Sequence, residues 1–293
     1  MRPVIEVIGV SSSLGGNVRG SELGPSAIKR AGLTSSLEEL GLKVKDYGNI
    51  KPSKRSRRKD DPKAKNLVDI LHESKQIAEA VYRCIKAGRF PLLLGGDHSM
   101  AIGSISGFSR AFDNFVGVIY FDAHGDFNTP QTTPSGNVHG MPLALVSGQY
   151  GIPALSMQDP IDPTKIAIVG MRSVDPAESG LMKKAGVVVV DMKEIKSKGI
   201  IYSITDVIKR VADNGRSVHL SVDIDVLDPT YAQGTGTPVP GGMSLQDLKN
   251  ALSLLGVSGC VRSLEIAEVN PLKDPSGATV SAAVELIKAF FSL

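Results

Sequence analysis

Short apolar runs alternate with longer amphipathic segments along the whole 293-residue chain, and this alternation restricts the fold more than any other feature. The apolar runs are rich in β-branched residues, which is typical of strands buried on both faces. The segments between them carry apolar residues at helical spacing, as in residues 66–87. Strands that alternate with helices form a mostly parallel sheet with helices on both faces. We therefore predict an α/β protein with three α/β/α layers.

The alternation predicts about eight strands in one sheet. The predicted strands are residues 4–10, 42–47, 90–94, 165–170, 187–190, 217–221 and 261–266, with one more that begins at residue 116. The predicted helices begin at residue 24 and then cover residues 66–87, 100–112, 142–146, 204–212, 244–255 and 278–291. No linker, composition break or internal repeat divides the chain, so we predict that residues 1–293 form a single domain.

Composition excludes several classes of partner. The net charge of +3 is too small to indicate nucleic-acid binding, and no run of apolar residues is long enough to span a membrane. The two cysteines, Cys84 and Cys260, are far apart and fit a reducing compartment. We predict a cytoplasmic protein without a nucleic-acid or membrane partner. Residues 51–65 form a basic run, but the acidic residues and prolines within it favour a solvated surface loop.

Residues 116–128 read VGVIYFDAHGDFN, an apolar strand pattern that ends in Asp122, His124 and Asp126. On an extended backbone, side chains at this spacing of two point to the same side. Two carboxylates and an imidazole aimed at one point indicate a metal site or an acid/base cluster. The alternative at this stage is a polar strand end whose hydrogen bonds are satisfied locally.

Polar residues follow five of the predicted strands. In open α/β sheets, ligands bind outside the carboxyl ends of the strands. Any one of these residues could be a cap or a turn residue, but five such strand ends at one edge predict a functional site. His72 and His219 fall inside predicted elements and are predicted to be structural, whereas His139 falls at the same edge. The residues at the edge are His98, Asp122, His124, Asp126, Asp175, Glu178, Asp223, Asp225 and Glu268.

Four negative charges would meet at this edge. They belong to Asp122, Asp126, Asp223 and Asp225. Buried carboxylates cannot all stay ionised without cations, and two divalent ions would balance them. Oxygen and imidazole ligands without a thiolate favour Mn²⁺ over Zn²⁺, with Fe, Co or Ni as alternatives. Two such ions would generate a nucleophilic hydroxide at neutral pH. Without metal, carboxylates that share a proton are the alternative.

Several motifs stand out along the chain: NVRGSELGP (17–25), GGDHS (95–99), DAHGDFN (122–128), SVDIDVLDP (221–229) and EVNP (268–271). Together they resemble the signatures of the ureohydrolase family, which comprises arginase, agmatinase, formiminoglutamase and their relatives. The resemblance extends from residue 17 to the last predicted strand, so it covers nearly the whole chain. It implies an arginase-like α/β domain and a hydrolase that acts on a linear guanidine.

The resemblance also implies roles for the residues at the edge. One Mn²⁺ would be held by His98, Asp122, Asp126 and Asp223, and the other by Asp122, His124, Asp223 and Asp225. A hydroxide that bridges the two ions would attack the guanidinium carbon. Asp126 would then help move a proton to the departing amine. Glu268 would anchor the guanidinium group, and His139 would act as the proton shuttle.

The loop at residues 128–140, NTPQTTPSGNVHG, is similar to the arginase loop and unlike the shorter agmatinase loop. The resemblance implies that it binds an α-carboxylate through Asn128, Thr133, Ser135 and Asn137. VDPAE (174–178) resembles the segment that receives the α-ammonium group, through Asp175 and Glu178. Thr237 either lines the site or is a turn residue. Ser173 departs from the family pattern, since many arginases have another acid there; this departure concerns the strength of amino-group binding and not the chemistry.

We therefore predict an arginase that hydrolyses L-arginine to L-ornithine and urea. One alternative is a related ureohydrolase acting on agmatine or guanidinobutyrate. Another is a non-catalytic regulator that binds metal or arginine on the same fold, which the complete ligand set disfavours. A deacetylase on a related α/β fold is disfavoured by the paired DAHGD and DIDVLDP motifs. The resemblance also implies a homo-oligomer, either a trimer or a hexamer.

Overall fold

Every apolar run predicted as a strand forms one in the structure, a computed structural model that describes residues 3–51, 61–150 and 160–292. Within these residues eight strands form one sheet in the order β2-β1-β3-β8-β7-β4-β5-β6. All the strand pairs are parallel, so the predicted mostly parallel sheet is fully parallel. The strands are β1 (Ile5–Val10), β2 (Val44–Ile50), β3 (Phe90–Leu94), β4 (Val116–Phe121), β5 (Ile166–Met171), β6 (Val188–Asp191), β7 (Ser217–Asp223) and β8 (Val261–Ala267).

Helices cover both faces of the sheet, which confirms the three-layer prediction. The helices are α1 (Gly24–Arg30), α2 (Leu33–Glu39), α3 (Leu67–Lys86), α4 (Ala101–Ala111), α5 (Pro142–Val146), α6 (Pro176–Ala185), α7 (Met192–Lys198), α8 (Ile200–Val211), α9 (Leu245–Val257) and α10 (Ala278–Phe291). Helices α3 to α6 pack on one face, and the other six pack on the opposite face. Strand β4 shows why both faces are apolar: Ile119 and Phe121 join one core layer, whereas Val118 and Tyr120 join the other.

Three helices were not predicted, namely α2, α6 and α7, and α8 begins four residues before the predicted start at residue 204. These segments are short or weakly apolar, so tertiary packing rather than pattern determines them. Helix α7 begins because the Asp191 side chain accepts a hydrogen bond from the backbone N–H of Glu194 at 2.8 Å. Strand β2 begins and ends later than predicted, and β7 continues to Asp223.

The chain turns towards the opposite half of the sheet after β3. Strands β8 and β7 lie between β3 and β4, so that β3 and β4, although consecutive in sequence, are not neighbours. A crevice at the carboxyl ends of the strands is expected at such a change of direction. Part of the basic run, residues 52–60, lies outside the described residues. In the described part of the chain, no helix has both the length and the apolar character needed to cross a bilayer.

Helices α3 and α4 approach each other closely through two glycines of α4. A Cβ atom added at Gly103 would lie 2.6 Å from the backbone oxygen of Ser74. A Cβ atom added at Gly107 would overlap the backbone oxygen of Ala78. Both glycines are therefore required by backbone proximity, since helix propensity alone would favour alanine.

We expect Gly107→Ala to lower the free energy of unfolding by about 1–3 kcal/mol, because the new methyl group must push two helices apart. Chemical denaturation of the purified protein measures this change. The matched control is Gly180→Ala in α6, where nothing lies within 4 Å of an added Cβ atom. This control should be neutral or stabilising by up to about 1 kcal/mol. Equal effects of both substitutions would contradict the close-packing explanation.

Candidate active site

Five neighbouring strands in the middle of the sheet end at residues that the sequence predicted to form a site. In spatial order these strands are β3, β8, β7, β4 and β5. His98 opens a short 3₁₀ turn after β3, Asp223 is the last residue of β7, and Glu268 directly follows β8. The sheet therefore brings these side chains to the edge where ligands of open α/β folds bind.

The first cluster is formed by His98, Asp122 and Asp223. The Nδ1 atom of His98 lies 3.1 Å from Asp122 Oδ2 and 3.1 Å from Asp223 Oδ2. All three residues are buried. The other ring nitrogen, Nε2, lies 2.8 Å from Ser221 Oγ, and the imidazole stacks on the Tyr120 ring at a centroid distance of 4.3 Å. These contacts fix the ring so that Nδ1 faces the carboxylates.

The second cluster contains His124, Asp122 and Asp225. The Nδ1 atom of His124 lies 3.1 Å from Asp225 Oδ2 and 3.3 Å from Asp122 Oδ1. Asp122 thus presents one oxygen to each cluster. In each cluster one ligand atom per residue lies within 4.8 Å of the others, and these hard oxygen and imidazole donors fit divalent metal ions.

Asp126 approaches the first cluster from a left-handed backbone conformation and not from an extended strand. Strand β4 ends at Phe121, and Asp126 has a left-handed φ of 48°. The prediction that Asp122, His124 and Asp126 converge on an extended backbone was therefore wrong in its geometry, although the side chains do meet. Asp126 Oδ2 lies 3.5 Å from His98 Nδ1 and accepts a hydrogen bond from the Tyr120 hydroxyl at 2.7 Å.

Burial and, after it, mutual repulsion raise the pKa values of three of the four aspartates. Burial and the charges of Asp225 and Asp122 raise the pKa of Asp223 well above its usual range. Burial and the Asp122 charge raise the pKa of Asp126 well above its usual range and also raise that of Asp225. The four carboxyl groups therefore cannot all be ionised here unless cations, either protons or metal ions, balance their charges.

Contacts with the aspartates raise the pKa values of the two histidines, His98 and His124. Burial alone would lower the pKa of His98, but its hydrogen bonds to Asp122 and Asp223 raise it well above the usual range. The pKa of His124 rises to about 12, because contacts with Asp122 and Asp225 outweigh its burial. Burial would raise the pKa of Asp122, yet the two imidazoles lower it. The carboxylates thus favour a positive charge on each imidazole, and such ligands release protons when a metal binds.

His139 and Glu268 form a pair beside the first cluster. The His139 Nδ1 atom lies 3.0 Å from Glu268 Oε1, which also accepts the His98 backbone N–H at 2.9 Å. Burial lowers the pKa of His139, but the Glu268 carboxylate outweighs it and raises this pKa to about 9. Glu268 has a left-handed φ of 62°, and its backbone N–H donates to Gly96. The loop after β8 is thereby fixed against the loop after β3.

One pocket connects these groups with the predicted substrate residues. Its buried end contains His98, Asp126 and Asp223, and its opening contains exposed Pro134 and Ser135. Glu268 is buried and is not among the pocket-lining residues of the described chain. All seven predicted substrate-binding residues line the pocket: Asn128, Thr133, Ser135, Asn137, Asp175, Glu178 and Thr237.

Asp175 and Glu178 also begin helix α6. Asp175 is its N-cap, and the Glu178 side chain accepts the Asp175 backbone N–H at 3.3 Å. The other oxygen of Glu178 accepts the Phe127 backbone N–H at 2.8 Å and so fastens α6 to the loop after β4. Burial raises the pKa of Glu178 to about 7. The pair is thus both a helix start and part of the pocket wall.

The hydroxyl and amide groups of the wall are held by local hydrogen bonds. Asn128 donates from Nδ2 to Asp175 Oδ2 at 3.1 Å and accepts at Oδ1 from Thr132. The Thr133 hydroxyl accepts the Gly136 backbone N–H at 2.9 Å. The Thr237 hydroxyl donates to Asp225 Oδ2 at 3.1 Å, so Thr237 lines the pocket and also positions Asp225.

Sequence reasoning missed Arg172, which directly follows β5. Its guanidinium group donates seven hydrogen bonds to six backbone carbonyl groups, those of Gly170, Asp225, Val226, Leu227, Val239 and Pro240. It thereby joins the loop that carries Asp225 to the segment that carries Thr237. The available signal was a single cation placed at the edge where the aspartates gather. Tyr120 was also missed, although a hydroxyl in a buried strand needs a partner.

Known proteins resemble this chain over its full length. The family model described as "Arginase family" matches residues 4–292. An arginase of Bacillus subtilis (strain 168) is 42% identical over 295 residues, which cover 99% of this chain and 98% of that protein. The native structure of Bacillus caldovelox arginase has a TM-score of 0.93 at 37% identity, with 100% of this chain and 99% of that chain covered. Entamoeba histolytica arginase, solved in complex with L-ornithine, has a TM-score of 0.91 at 31% identity, with 99% of each chain covered.

We expect Arg172→Lys to lower the free energy of unfolding by about 2 kcal/mol, because a lysine keeps the charge but has only three donors for the carbonyl groups. Denaturant titration checks this change. Arg262→Lys, at an exposed position of β8, is the matched control and should change the free energy by less than about 0.5 kcal/mol. An Arg172→Lys protein as stable as the control would show that the guanidinium contacts contribute little.

Proposed function

Because the chain belongs to the Arginase family, we propose that it hydrolyses L-arginine to L-ornithine and urea with two Mn²⁺ ions. The observation that carries this proposal is Asp122, whose two oxygens face separate histidine–aspartate clusters at the buried end of a pocket. A shared carboxylate of this kind suits a pair of ions, and the polar wall of the same pocket suits an amino acid.

We assign the predicted ligands to the two ions. His98, Asp122, Asp126 and Asp223 would hold one ion, and Asp122, His124, Asp223 and Asp225 would hold the other. When bound, the ions would supply a hydroxide nucleophile at neutral pH and neutralise the four carboxylates. Ser221 and Thr237 support this set, because their hydroxyl groups contact His98 and Asp225. Such contacts to ligands fix their orientation.

Glu268 would anchor the guanidinium group. Its side-chain contacts with the His98 backbone and with the His139 ring both use Oε1. The second oxygen can then accept a guanidinium N–H in a charge-assisted hydrogen bond. The buried carboxylate would orient the guanidinium carbon towards the two clusters and exclude water from its far side.

Asp126 and His139 would move protons. The Tyr120 hydroxyl holds Asp126 Oδ2, and this carboxyl group would accept a proton and pass it to the departing amine. The His139 side chain is 19% exposed and lines the pocket, so it can exchange protons with solvent. Its position between Glu268 and solvent supports the shuttle role.

The outer wall would recognise the amino-acid end of the substrate. Asn128, Thr133, Ser135 and Asn137 offer donors for the α-carboxylate, and Asp175 with Glu178 offers acceptors for the α-ammonium group. A substrate without the carboxylate would leave buried donors unpaired, which can discriminate by orders of magnitude. Ser173 lines the pocket without a charge, so Asp175 and Glu178 would supply the attraction for the amino group. A cytoplasmic location and a homo-oligomer, trimer or hexamer, stay predictions.

We expect urea release from L-arginine in the presence of Mn²⁺, with a much lower kcat/KM for agmatine, because agmatine lacks the carboxylate. Metal analysis of the same sample should find two ions per chain. Chelation should abolish urea release, and added Mn²⁺ should restore it. Preference for agmatine or guanidinobutyrate would overturn the substrate assignment. Two bound ions without urea from any guanidine would favour a metal- or arginine-binding regulator.

We expect Asp126→Asn to lower kcat by more than about 100-fold, because an amide cannot carry the proton of the reaction. The amide oxygen can still accept the Tyr120 hydroxyl, so the free energy of unfolding should change little. Steady-state urea assays and denaturant titration test the two statements separately. Near-normal turnover in Asp126→Asn would refute the role of Asp126.

Tyr120→Phe is the matched control for this experiment. It leaves the Asp126 carboxylate in place and removes only the hydroxyl that holds Oδ2. We expect a smaller decrease in kcat than in Asp126→Asn, because only the position of the carboxylate is affected. A larger decrease would assign the essential role to the tyrosine instead.

A further inference from the structure

Two lysines pack against the outer wall of the pocket. They belong to residues 61–66, which follow the undescribed part of the basic run. The Lys65 ammonium group donates to Asn137 Oδ1 at 3.2 Å, and the Lys63 ammonium group donates to the Thr133 backbone oxygen at 2.9 Å. The Lys65 backbone N–H also donates to the Gly136 oxygen at 3.0 Å. The segment therefore supports the wall from behind.

Residues 61–66 and the loop that contains Gly136 approach each other closely. Gly136 has a left-handed φ of 73°, and a Cβ atom added there would overlap the backbone oxygen of Pro62. Only glycine allows this conformation and this contact together. The position of Lys65 relative to Asn137 is therefore set by backbone packing on both sides and does not depend on a single side-chain contact.

The Lys65 contact determines which way the Asn137 amide faces. An ammonium group has three donors and no acceptor, so the amide atom that it contacts must be the oxygen. The amide nitrogen of Asn137, with its two N–H donors, is then left for the pocket, which Asn137 lines. Donors in this position attract a carboxylate and do not attract an ammonium group.

Positively and negatively charged side chains also lie at different parts of the pocket wall. In these contacts Lys63 and Lys65 bind neutral oxygens, so their positive charges are not cancelled by their partners. Two carboxyl groups, Asp175 and Glu178, stand in another part of the wall, after β5. An amino acid carries a carboxylate and an ammonium group on one carbon, and this arrangement offers opposite charges to the two.

We propose that Lys65 is a positioning residue for substrate selectivity: it orients the Asn137 amide as a donor and, with Lys63, places positive charge beside the α-carboxylate. The inference rests on the proposed function, since it concerns the amino-acid end of that substrate. Lys65 itself touches neither the reacting carbon nor the clusters. Its loss should therefore weaken binding of carboxylate-bearing ligands and leave the chemical step unchanged.

Lys65→Met tests this role, because methionine fills similar space without donors or charge. On the Mn²⁺-loaded protein, calorimetry gives the Kd of L-ornithine and of 1,4-diaminobutane, the same diamine without the carboxylate. We expect the Kd of L-ornithine and the KM of L-arginine to rise about tenfold, the loss of one charge-assisted hydrogen bond. The Kd of 1,4-diaminobutane and the kcat for L-arginine should stay within about twofold.

Two further variants distinguish orientation from general damage. Lys65→Arg keeps a group that can only donate and should restore most of the L-ornithine affinity. Lys75→Met removes an exposed lysine of α3, outside the pocket lining, and should leave both Kd values unchanged. Should Lys65→Met not fold, Lys65→Gln removes the charge and replaces the donor-only group by an amide that can donate or accept, so Asn137 loses its fixed orientation and a loss of L-ornithine affinity is again expected.

Two results would overturn the inference: an equal rise of both Kd values, or no rise for L-ornithine. Both are read from binding, so they are distinct from failure of the proposed function, which would appear as absence of urea release by the unaltered protein. A variant with normal Kd values and reduced kcat would also contradict a positioning role at the amino-acid end.

Discussion

Repulsion among four buried aspartates is the constraint on which the rest of this structure depends. Asp122, Asp126, Asp223 and Asp225 meet at the end of the central strands, and burial makes their charges costly. The surrounding contacts reduce this cost or hold the groups in place. Two imidazoles lie between the carboxylates, and the hydroxyl groups of Tyr120 and Thr237 donate to Asp126 and Asp225. The backbone N–H groups of Asp225 and Ala123 donate to the side chains of Asp223 and Asp225. Arg172 adds a fixed positive charge nearby, and because its donors are used by carbonyl groups, it cannot leave the loop to pair with one aspartate.

The site divides into a part built on strand ends and a part built on loops. The clusters depend on β3, β4 and β7, whose register is fixed by the neighbouring strands, so their ligand atoms have little freedom. The wall that would recognise the amino-acid end depends on the loop after β4, on the start of α6 and on residues 61–66. This separation allows substrate preference to change through loop contacts while the clusters stay constant, which is the usual distribution of function between scaffold and loop.

Local pattern was sufficient to predict the strands because most of them are largely apolar and buried on both faces. The edge strand β2 is exposed along much of its length, and its bounds were accordingly predicted less well. Local pattern also placed His98, Asp223 and Glu268 at one edge, because parallel strands point their carboxyl ends the same way. It failed for the helices α2, α6 and α7 and for the path of the chain after Phe121, where Asp126 adopts a left-handed conformation that no spacing rule anticipates. The support by Arg172, Tyr120 and Lys65 was missed for a related reason: the sequence shows the cation or the hydroxyl group, but only the fold shows which group it contacts.

The left-handed turn at Asp126 has a physical reason. On an extended backbone, the carboxylates of Asp122 and Asp126 would project to one side in a row. The turn instead lets the Asp126 carboxyl approach His98 from the side of Tyr120, and the Asp126 carbonyl accepts the Leu143 backbone N–H at the start of α5. The strain of a left-handed aspartate is compensated by these two hydrogen bonds. The same turn directs Phe127 and Asn128 towards α6, where they contact Glu178 and Asp175. One strained residue thus connects the clusters to the outer wall of the pocket.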